Sequence, residues 1–235
     1  MAEVKDSDNE KIVPEVLRPK DAATLVLVRR DGGPVRVLMG QRHGNMAFMA
    51  NKYVFPGGRM DPADIRVPVS TDLRPEVAAK VAQGATPARA RGLALAAIRE
   101  TFEEAGVLVG EKSETIPRTR APAWKQFFAH KILPRLDKLE FIARAITPPN
   151  RTRRFDARFF MANDDVIAHV LDAAENEELL KPAWLTLEEA RALDLPSITR
   201  TVLDEVEART VDGFDGSRPV PFFRFTRGKP QLAHL

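Results

Sequence analysis

The sequence contains no cysteine, which excludes disulfide bonds, thiolate zinc sites, iron–sulfur clusters and thiol nucleophiles. It has no run of about 18 apolar residues, the length that a membrane-spanning helix needs. Lys and Arg total 36 against 33 Asp and Glu, and this small surplus gives no argument for nucleic-acid binding. The first residues, MAEVKDSDNEK, are charged where a secretory signal needs apolar side chains. We therefore expect a cytoplasmic protein with neither a membrane nor a nucleic-acid partner.

Hydrophobic residues make up 44% of the 235 residues, enough to bury the core of one domain. Residues 1–20 mix charges and prolines without a clear period and are predicted to be a flexible lead-in. The main domain is predicted over 21–210. The Gly- and Pro-containing stretch 211–235 is predicted to be an irregular tail.

Hydrophobic periodicity predicts strands that alternate with helices. A glycine-rich turn inside 22–42 indicates a β-hairpin, and apolar residues spaced three or four apart predict a helix over 87–105 that ends at Gly106. The other predicted elements are strands at 52–55, 139–146, 155–161 and around Trp184, and helices at 75–82, 122–132, 187–193 and 197–209. This order favours an α/β fold with a mixed sheet.

The segment RETFEEAGV carries the clearest chemical signal. On a helix Glu100, Glu103 and Glu104 share one face, and three neighbouring carboxylates repel one another unless cations are present. Mg²⁺ or Mn²⁺ is the kind of hard cation that such oxygen ligands bind. The alternative is a solvated acidic face on which Arg99 pairs with Glu103.

RETFEEAGV, preceded by FPGG, resembles the signature of the Nudix hydrolases, G-x5-E-x7-R-E-U-x-E-E-x-G-U, where U is apolar. The second half of the signature matches from Arg99 to Val107, with Thr101 at an apolar position. The first half departs from the pattern. Counting from Gly58, the expected Glu is Asp64, and Arg99 follows it after 35 positions rather than eight.

About 27 residues are thus inserted within the signature, over about 65–88. A long insertion at this place is similar to one branch of the superfamily, the peroxisomal coenzyme A diphosphatases and their bacterial relatives. The stretches VLMGQRHGNMAFMANKYVFPGG and Arg153-Arg154-Phe155-Asp156 also resemble that branch. The resemblance covers roughly 21–195 and implies a Nudix α/β/α sandwich with a mixed β-sheet and an extra helical insertion.

The resemblance also implies metal-dependent hydrolysis of a nucleoside diphosphate that is linked to another group. Its pattern makes Glu103 and Glu104 ligands of Mg²⁺ or Mn²⁺, makes Glu100 a further ligand or the base, and lets the carbonyl of Gly57 or Gly58 complete the shell. Arg99 would orient these carboxylates, so the catalytic residues implied are Arg99, Glu100 and Glu103. Asp64 is a weaker candidate ligand because its side chain is one methylene shorter than that of Glu.

Other residues are candidates for the base and for substrate contacts. A base outside the signature is sought among Glu178, Glu175, Glu177, Asp164 and Asp165. Residues 112–154 hold eleven Lys and Arg against three acids, which suits either a solvated face or a polyanion such as coenzyme A, with Arg153 and Arg154 as the best contacts. Trp124, Phe127 and Phe128 are expected in the core rather than around an acyl chain.

Several functions stay open at this level. As a hydrolase, the protein is expected to act first on coenzyme A or its esters. The second possible substrate class is ADP-ribose, NADH and nucleotide sugars. A non-catalytic domain that senses nucleotides is the alternative of another class, but such domains typically lose signature carboxylates, and here all three remain. The sequence leaves open whether the chain forms a homodimer, and whether the final Ala-His-Leu acts as a targeting signal.

Overall fold

A computed structural model describes residues 17–44, 51–149, 151–171, 179–211, 218–226 and 229–235. The strands are β1 (Lys20–Arg29), β2 (Arg36–Arg42), β3 (Tyr53–Val54), β4 (Gly57–Arg59), β5 (Val107–Val109), β6 (Glu111–Lys112), β7 (Ile132–Leu133), β8 (Glu140–Ile146), β9 (Phe155–Asn163), β10 (Ile167–Val170), β11 (Leu179–Thr186), β12 (Pro221–Thr226) and β13 (Lys229–His234). The helices are α1 (Pro75–Val81), α2 (Pro87–Ala105), α3 (Pro122–Ala129), α4 (Leu187–Ala192) and α5 (Ser197–Val211), with 3₁₀ turns at Asp64–Arg66 and Asp164–Val166.

The main sheet is mixed. Its order is β11-β2-β1-β9-β8-β12-β13, with β3 paired to β2 and β4 paired to β1. The pairs β1–β9 and β12–β8 are parallel, whereas β1–β2, β1–β4 and β8–β9 are antiparallel. Strand β4, which follows Phe55-Pro56, pairs with β1. This pairing places Gly57 and Gly58, called the glycine turn below, next to the centre of the sheet.

Helices cover both faces of this sheet. Leu25 and Leu27 of β1 point into a core shared with α2, and Val26 and Val28 point into a second core shared with α4 and α5. Strand β1 is therefore buried on both faces, which explains its continuous apolar sequence. The predicted α/β/α sandwich with a mixed sheet is confirmed. Within the described part of the chain, no helix combines the length and apolar character needed to cross a membrane.

Helix α2 forms as the sequence predicts. The Thr86 side chain accepts a hydrogen bond from the Arg89 N–H, and Pro87 occupies the first turn, where its missing N–H costs nothing. The helix ends at Gly106, whose φ of 65° is the left-handed conformation that glycine adopts most readily. These two ends set the length of α2, and the spacing of its apolar residues turns one side of the helix toward the sheet.

The predicted insertion is part of the core. Val67, Leu73, Val77 and Val81 are all buried in the cluster that contains α2. Helix α1 is the extra helix that the sequence predicts, and it ends one residue earlier than expected. These side chains fill the core on the α2 side of the sheet. We therefore expect that replacing the insertion with a short linker would destabilise the fold, in addition to any change in substrate selection.

The structure corrects the predicted C-terminal tail and the predicted end of α3. The 211–235 stretch is not irregular throughout, because β12 and β13 form a hairpin and β12 adds to the sheet beside β8. The sequence pattern missed this hairpin because its second strand is almost entirely exposed and so lacks alternation. Helix α3 ends at Ala129 rather than near 132, since Lys131 takes a positive φ of 55° and Ile132 begins β7.

Asp137 ties the insertion to the segment before β8. It accepts hydrogen bonds from Arg135 Nε at 2.9 Å, from Arg135 Nη2 at 2.8 Å and from the Thr71 hydroxyl at 2.6 Å. The hydrogen bonds from Arg135, the largest cause, lower the pKa of Asp137 from 3.8 to about 2. Since the folded-state pKa is depressed, this carboxylate stabilises the fold above its unfolded pKa and loses that contribution as pH falls towards 2.

We therefore predict that Asp137→Asn lowers the free energy of unfolding at pH 5 and that the difference from the parent protein narrows by pH 2. Urea unfolding at a series of pH values measures this difference. Glu114→Gln, which changes a 95% exposed side chain, is the control. A difference that stays constant between pH 5 and pH 2 would contradict the prediction.

Candidate active site

The Arg99 guanidinium is the hub of the site. Its Nε donates to Asp64 Oδ1 at 2.9 Å, and its Nη2 donates to Asp64 Oδ2 at 3.0 Å and to the Arg59 carbonyl at 2.8 Å. Its Nη1 donates to Glu100 Oε1 at 2.8 Å and to Glu103 Oε2 at 2.6 Å. All five N–H groups of the guanidinium thus have acceptors. Arg99 therefore connects β4, the 3₁₀ turn at Asp64 and two carboxylates of α2.

Asp64 closes the interrupted signature. It is 35 positions from Arg99 in sequence, yet it makes a two-point ion pair with that arginine and is completely buried. Its carboxylate also accepts hydrogen bonds from the Trp124 indole Nε1 at 2.7 Å and from the Asp61 backbone N–H at 2.8 Å. Asp64 and Arg99 thus meet in space although 35 positions separate them in the sequence.

The charge of Arg99 is secured by its neighbours. Burial alone would lower the pKa of Arg99, but hydrogen bonding to Asp64 and the charge of Glu100 outweigh burial and raise the pKa above its ordinary value. A permanently cationic group beside Glu100 and Glu103 offsets part of their repulsion. The Arg99 guanidinium thus lets these two carboxylates lie on the same helix face.

The glycine turn lies directly against the helix carboxylates. Glu104 is buried, and its Oε2 accepts a hydrogen bond from the Gly57 N–H at 2.8 Å. A Cβ at Gly58 would lie 2.5 Å from the Glu100 carboxylate, and one at Gly57 would lie 2.5 Å from the Thr24 hydroxyl oxygen. Gly57 is therefore required by the close approach of the β1 backbone, whereas the missing Cβ of Gly58 leaves room for the Glu100 carboxylate.

The α2 carboxylates and the glycine turn predicted from the sequence lie close together, but the described side chains do not form a complete set of metal ligands. Among the described residues, no group of three acidic or histidine side chains converges in a geometry that could hold a metal ion. Arg99 engages Glu100 and Glu103, and Gly57 engages Glu104. The donor chemistry nevertheless fits a hard divalent cation, because α2 carries three carboxylates, and two of them, Glu100 and Glu104, lie against Gly58 and Gly57 of β4.

The other candidate acids lie elsewhere or outside the described residues. Asp164 pairs with Arg29 at 2.7 Å, and Asp165 lines a groove with Arg74 and Lys138. Glu175, Glu177 and Glu178 all lie outside the described residues. A base from beyond the signature therefore stays a prediction.

The basic stretch divides into paired and exposed cations. Arg135 pairs with Asp137, Arg144 pairs with Asp156, and Arg154 donates to the carbonyls of Thr147 and Leu17. The exposed members include Arg153, Lys112, Arg118, Arg120, Lys125 and Lys131. Of the two arginines predicted to bind substrate, Arg154 thus contacts the backbone, and Arg153 is exposed.

The aromatic residues of α3 form part of the core. Trp124 and Phe127 are completely buried, Phe128 is 4% exposed, and their rings contact one another and Phe102. The prediction that these rings lie in the core rather than around an acyl chain is confirmed. The sequence did not indicate the Trp124 contact with Asp64, because the two residues are 60 positions apart.

Comparison with solved structures identifies the fold. A NUDIX hydrolase from Alicyclobacillus acidocaldarius superposes with a TM-score of 0.59 and 25% sequence identity over 81% of this chain and 91% of that chain. The chain has the Nudix fold. The M. smegmatis Nudix hydrolase RenU (TM-score 0.44, 16% identity, 82% of this chain and 86% of that chain) is a more distant match. The NUDIX domain of Shewanella oneidensis NrtR, solved with ADP ribose, is also a more distant match (TM-score 0.48, 12% identity, 86% of this chain and 94% of that chain).

The Alicyclobacillus likeness supports an enzyme of the Nudix pyrophosphohydrolase class. No protein-family model matches the chain, and no curated protein matches it. The Nudix fold accounts for the contact between the glycine turn and α2, since the two halves of the signature meet there.

Proposed function

We propose that this chain hydrolyses the pyrophosphate of a nucleoside diphosphate derivative, and that coenzyme A or an acyl-coenzyme A is its substrate. One observation carries the proposal. Both halves of an interrupted signature meet in space, with Asp64 on Arg99 and Gly57 on Glu104. A sensor that had lost catalysis would not need three carboxylates on α2, whose mutual repulsion costs stability.

A pyrophosphate carries negative charge that must be offset before water can attack phosphorus. In the proposed site Glu103 and Glu104 hold Mg²⁺ or Mn²⁺, with Glu100 as a further ligand or as the base that takes a proton from water. The cation, when bound, supplies Lewis-acid neutralisation of the phosphoryl oxygens. Arg99 orients Glu100 and Glu103 through its two Nη1 hydrogen bonds.

The carbonyl ligand in this proposal comes from Gly57 rather than Gly58. Leu25 N–H donates to the Pro56 carbonyl, and the antiparallel register pairs Ala23 with Gly58. Hydrogen-bonded pairs alternate along such a ladder, so the peptide groups of Gly58 point to β1 and those of Gly57 point away from it. The Gly57 N–H already bonds Glu104. The role of Gly58 is instead to lack a Cβ, which gives the Glu100 carboxylate its room.

The substrate class rests on the insertion inside the signature and on the exposed cations of the 112–154 stretch. Coenzyme A is a polyanion with a pyrophosphate and a 3′-phosphate, both of which guanidinium groups bind well. We propose Arg153 as a phosphate contact. The hydrogen bonds of Arg154 to Thr147 and Leu17 favour a role in fixing the start of β1. We further propose that the enzyme acts in the cytoplasm.

The test is an activity screen of the purified full-length chain with Mg²⁺ and Mn²⁺, in which mass spectrometry identifies the products. The panel contains coenzyme A, acyl-coenzyme A, NADH, ADP-ribose and nucleotide sugars. We predict that coenzyme A is cut to 3′,5′-ADP and a 4′-phosphopantetheine product, and that it is turned over faster than the other substrates.

Two other results have distinct meanings. Faster turnover of ADP-ribose or a nucleotide sugar, with coenzyme A untouched, would refute the substrate class and retain the reaction class. Binding of nucleotides without hydrolysis of any member of the panel would favour the sensor and contradict the proposed function as a whole. Chelation of the metal should abolish hydrolysis, whether coenzyme A or another member of the panel is the substrate.

A further inference from the structure

Trp124 makes a polar contact that its place in the core does not require. Its ring is completely buried between Phe127 and Phe128, at centroid distances of 5.2 and 5.8 Å. Because these neighbours hold the ring, the direction of its indole N–H is fixed. That N–H donates to Asp64 Oδ1 at 2.7 Å. A phenylalanine could supply the same packing without this donor.

The acceptor is the residue that orients Arg99. A carboxylate has about four lone-pair sites, and Asp64 receives four hydrogen bonds: two from Arg99, one from Asp61 and one from Trp124. Asp64 Oδ1 is shared between the indole N–H and Arg99 Nε. A shift of this oxygen therefore changes the direction in which the guanidinium lies.

The guanidinium in turn touches the carboxylates of α2. It is planar and rigid, so a rotation that follows Asp64 also moves Nη1, which bonds Glu100 and Glu103. The contacts form one continuous line from α3 through the 3₁₀ turn to α2. Its members are nearly all buried, with Trp124 and Asp64 at 0% and Arg99 at 7% exposure.

We propose that Trp124 is a positioning residue for the hydrolysis, acting through Asp64 and Arg99 on Glu100 and Glu103. The inference rests on the proposed function, because Glu100 and Glu103 are the groups whose placement it concerns. Trp124 touches neither substrate nor the reacting atoms. Its effect should appear in the rate of the chemical step rather than in the affinity for substrate.

The first test is Trp124→Phe, which removes the N–H and keeps a buried ring. We expect kcat to fall roughly tenfold, as for loss of a hydrogen bond to a charged group, with KM changed less than about twofold. Trp184→Phe is the matched control, since it makes the same exchange at the other tryptophan, which lies in β11 under the Arg29 guanidinium, and its kcat should stay near the parent value. Equal kcat values for Trp124→Phe and the parent would overturn the proposal, as would equal losses in both variants.

A second measurement does not depend on catalysis or on how well Trp124→Phe folds. The chain has two tryptophans, so a ¹H–¹⁵N spectrum contains two indole signals. Asp64→Asn should move the Trp124 signal and leave that of Trp184 in place, and Glu103→Gln should shift the Arg99 side-chain N–H signals. An unmoved Trp124 signal in Asp64→Asn would overturn the proposed contact. If the parent protein hydrolyses nothing while these shifts occur, the proposed function fails and the hydrogen-bond relay stands.

Discussion

Changing Glu103 and Glu104 together to Gln is expected to reduce hydrolysis by about a thousandfold or more. The variant removes two of the three carboxylates that would hold the cation, and charge neutralisation of several kcal/mol is lost with it, at about 1.36 kcal/mol for each factor of ten. The fold should survive, because a glutamine at 104 can still accept the Gly57 N–H through its amide oxygen. The loss of like-charge repulsion on α2 also favours the folded state.

The measurement pairs steady-state turnover with thermal unfolding at increasing Mg²⁺. Binding of a cation to the native state raises the melting temperature of the parent protein, and this rise should vanish in the double variant. Glu207→Gln is the matched control, because its side chain is 52% exposed on α5, which packs on the other face of the sheet from α2, so both turnover and the Mg²⁺ response should be unchanged. Near-native turnover in the double variant would show that the α2 carboxylates are not the metal site.

The helix that carries these carboxylates was predictable from local features alone. Thr86, Pro87 and Gly106 mark its ends, and the spacing of its apolar residues fixes which side faces the core. The acidic face follows as a consequence of that spacing. Signals of this kind lie within about twenty residues of one another, which is the range over which single-sequence reasoning is informative.

The partner of Arg99 was not predictable in this way. Counting along the signature from Gly58 reaches Asp64, but the 35 positions between Asp64 and Arg99 gave no reason to expect their side chains to touch. The contact arises because the insertion folds back and buries Leu73, Val77 and Val81 against α2. This long-range packing, and the Trp124 hydrogen bond that comes with it, depend on tertiary structure that no local pattern records.

The buried ion pair of Asp64 and Arg99 leads to the prediction with the largest expected effect on stability. Asp64→Ala removes the acceptor of two Arg99 N–H groups, of the Trp124 indole and of the Asp61 N–H at once. Breaking a buried ion pair by removing one partner costs about 3–5 kcal/mol, because the other charge stays buried. Since Glu100 and Glu103 still contact Arg99, we expect the free energy of unfolding to fall by about 3 kcal/mol.

Asp72→Ala is the matched control for this variant in urea unfolding. Asp72 also belongs to the inserted segment and also pairs with an arginine of α2, Arg91 at 2.9 Å, but its side chain is 56% exposed. An exposed pair contributes only about 0–1 kcal/mol, so the control should lose little. The contrast between the two aspartates isolates burial as the cause. If both variants lose the same free energy, Asp64 does not join the insertion to the α2 carboxylates in the way the structure indicates.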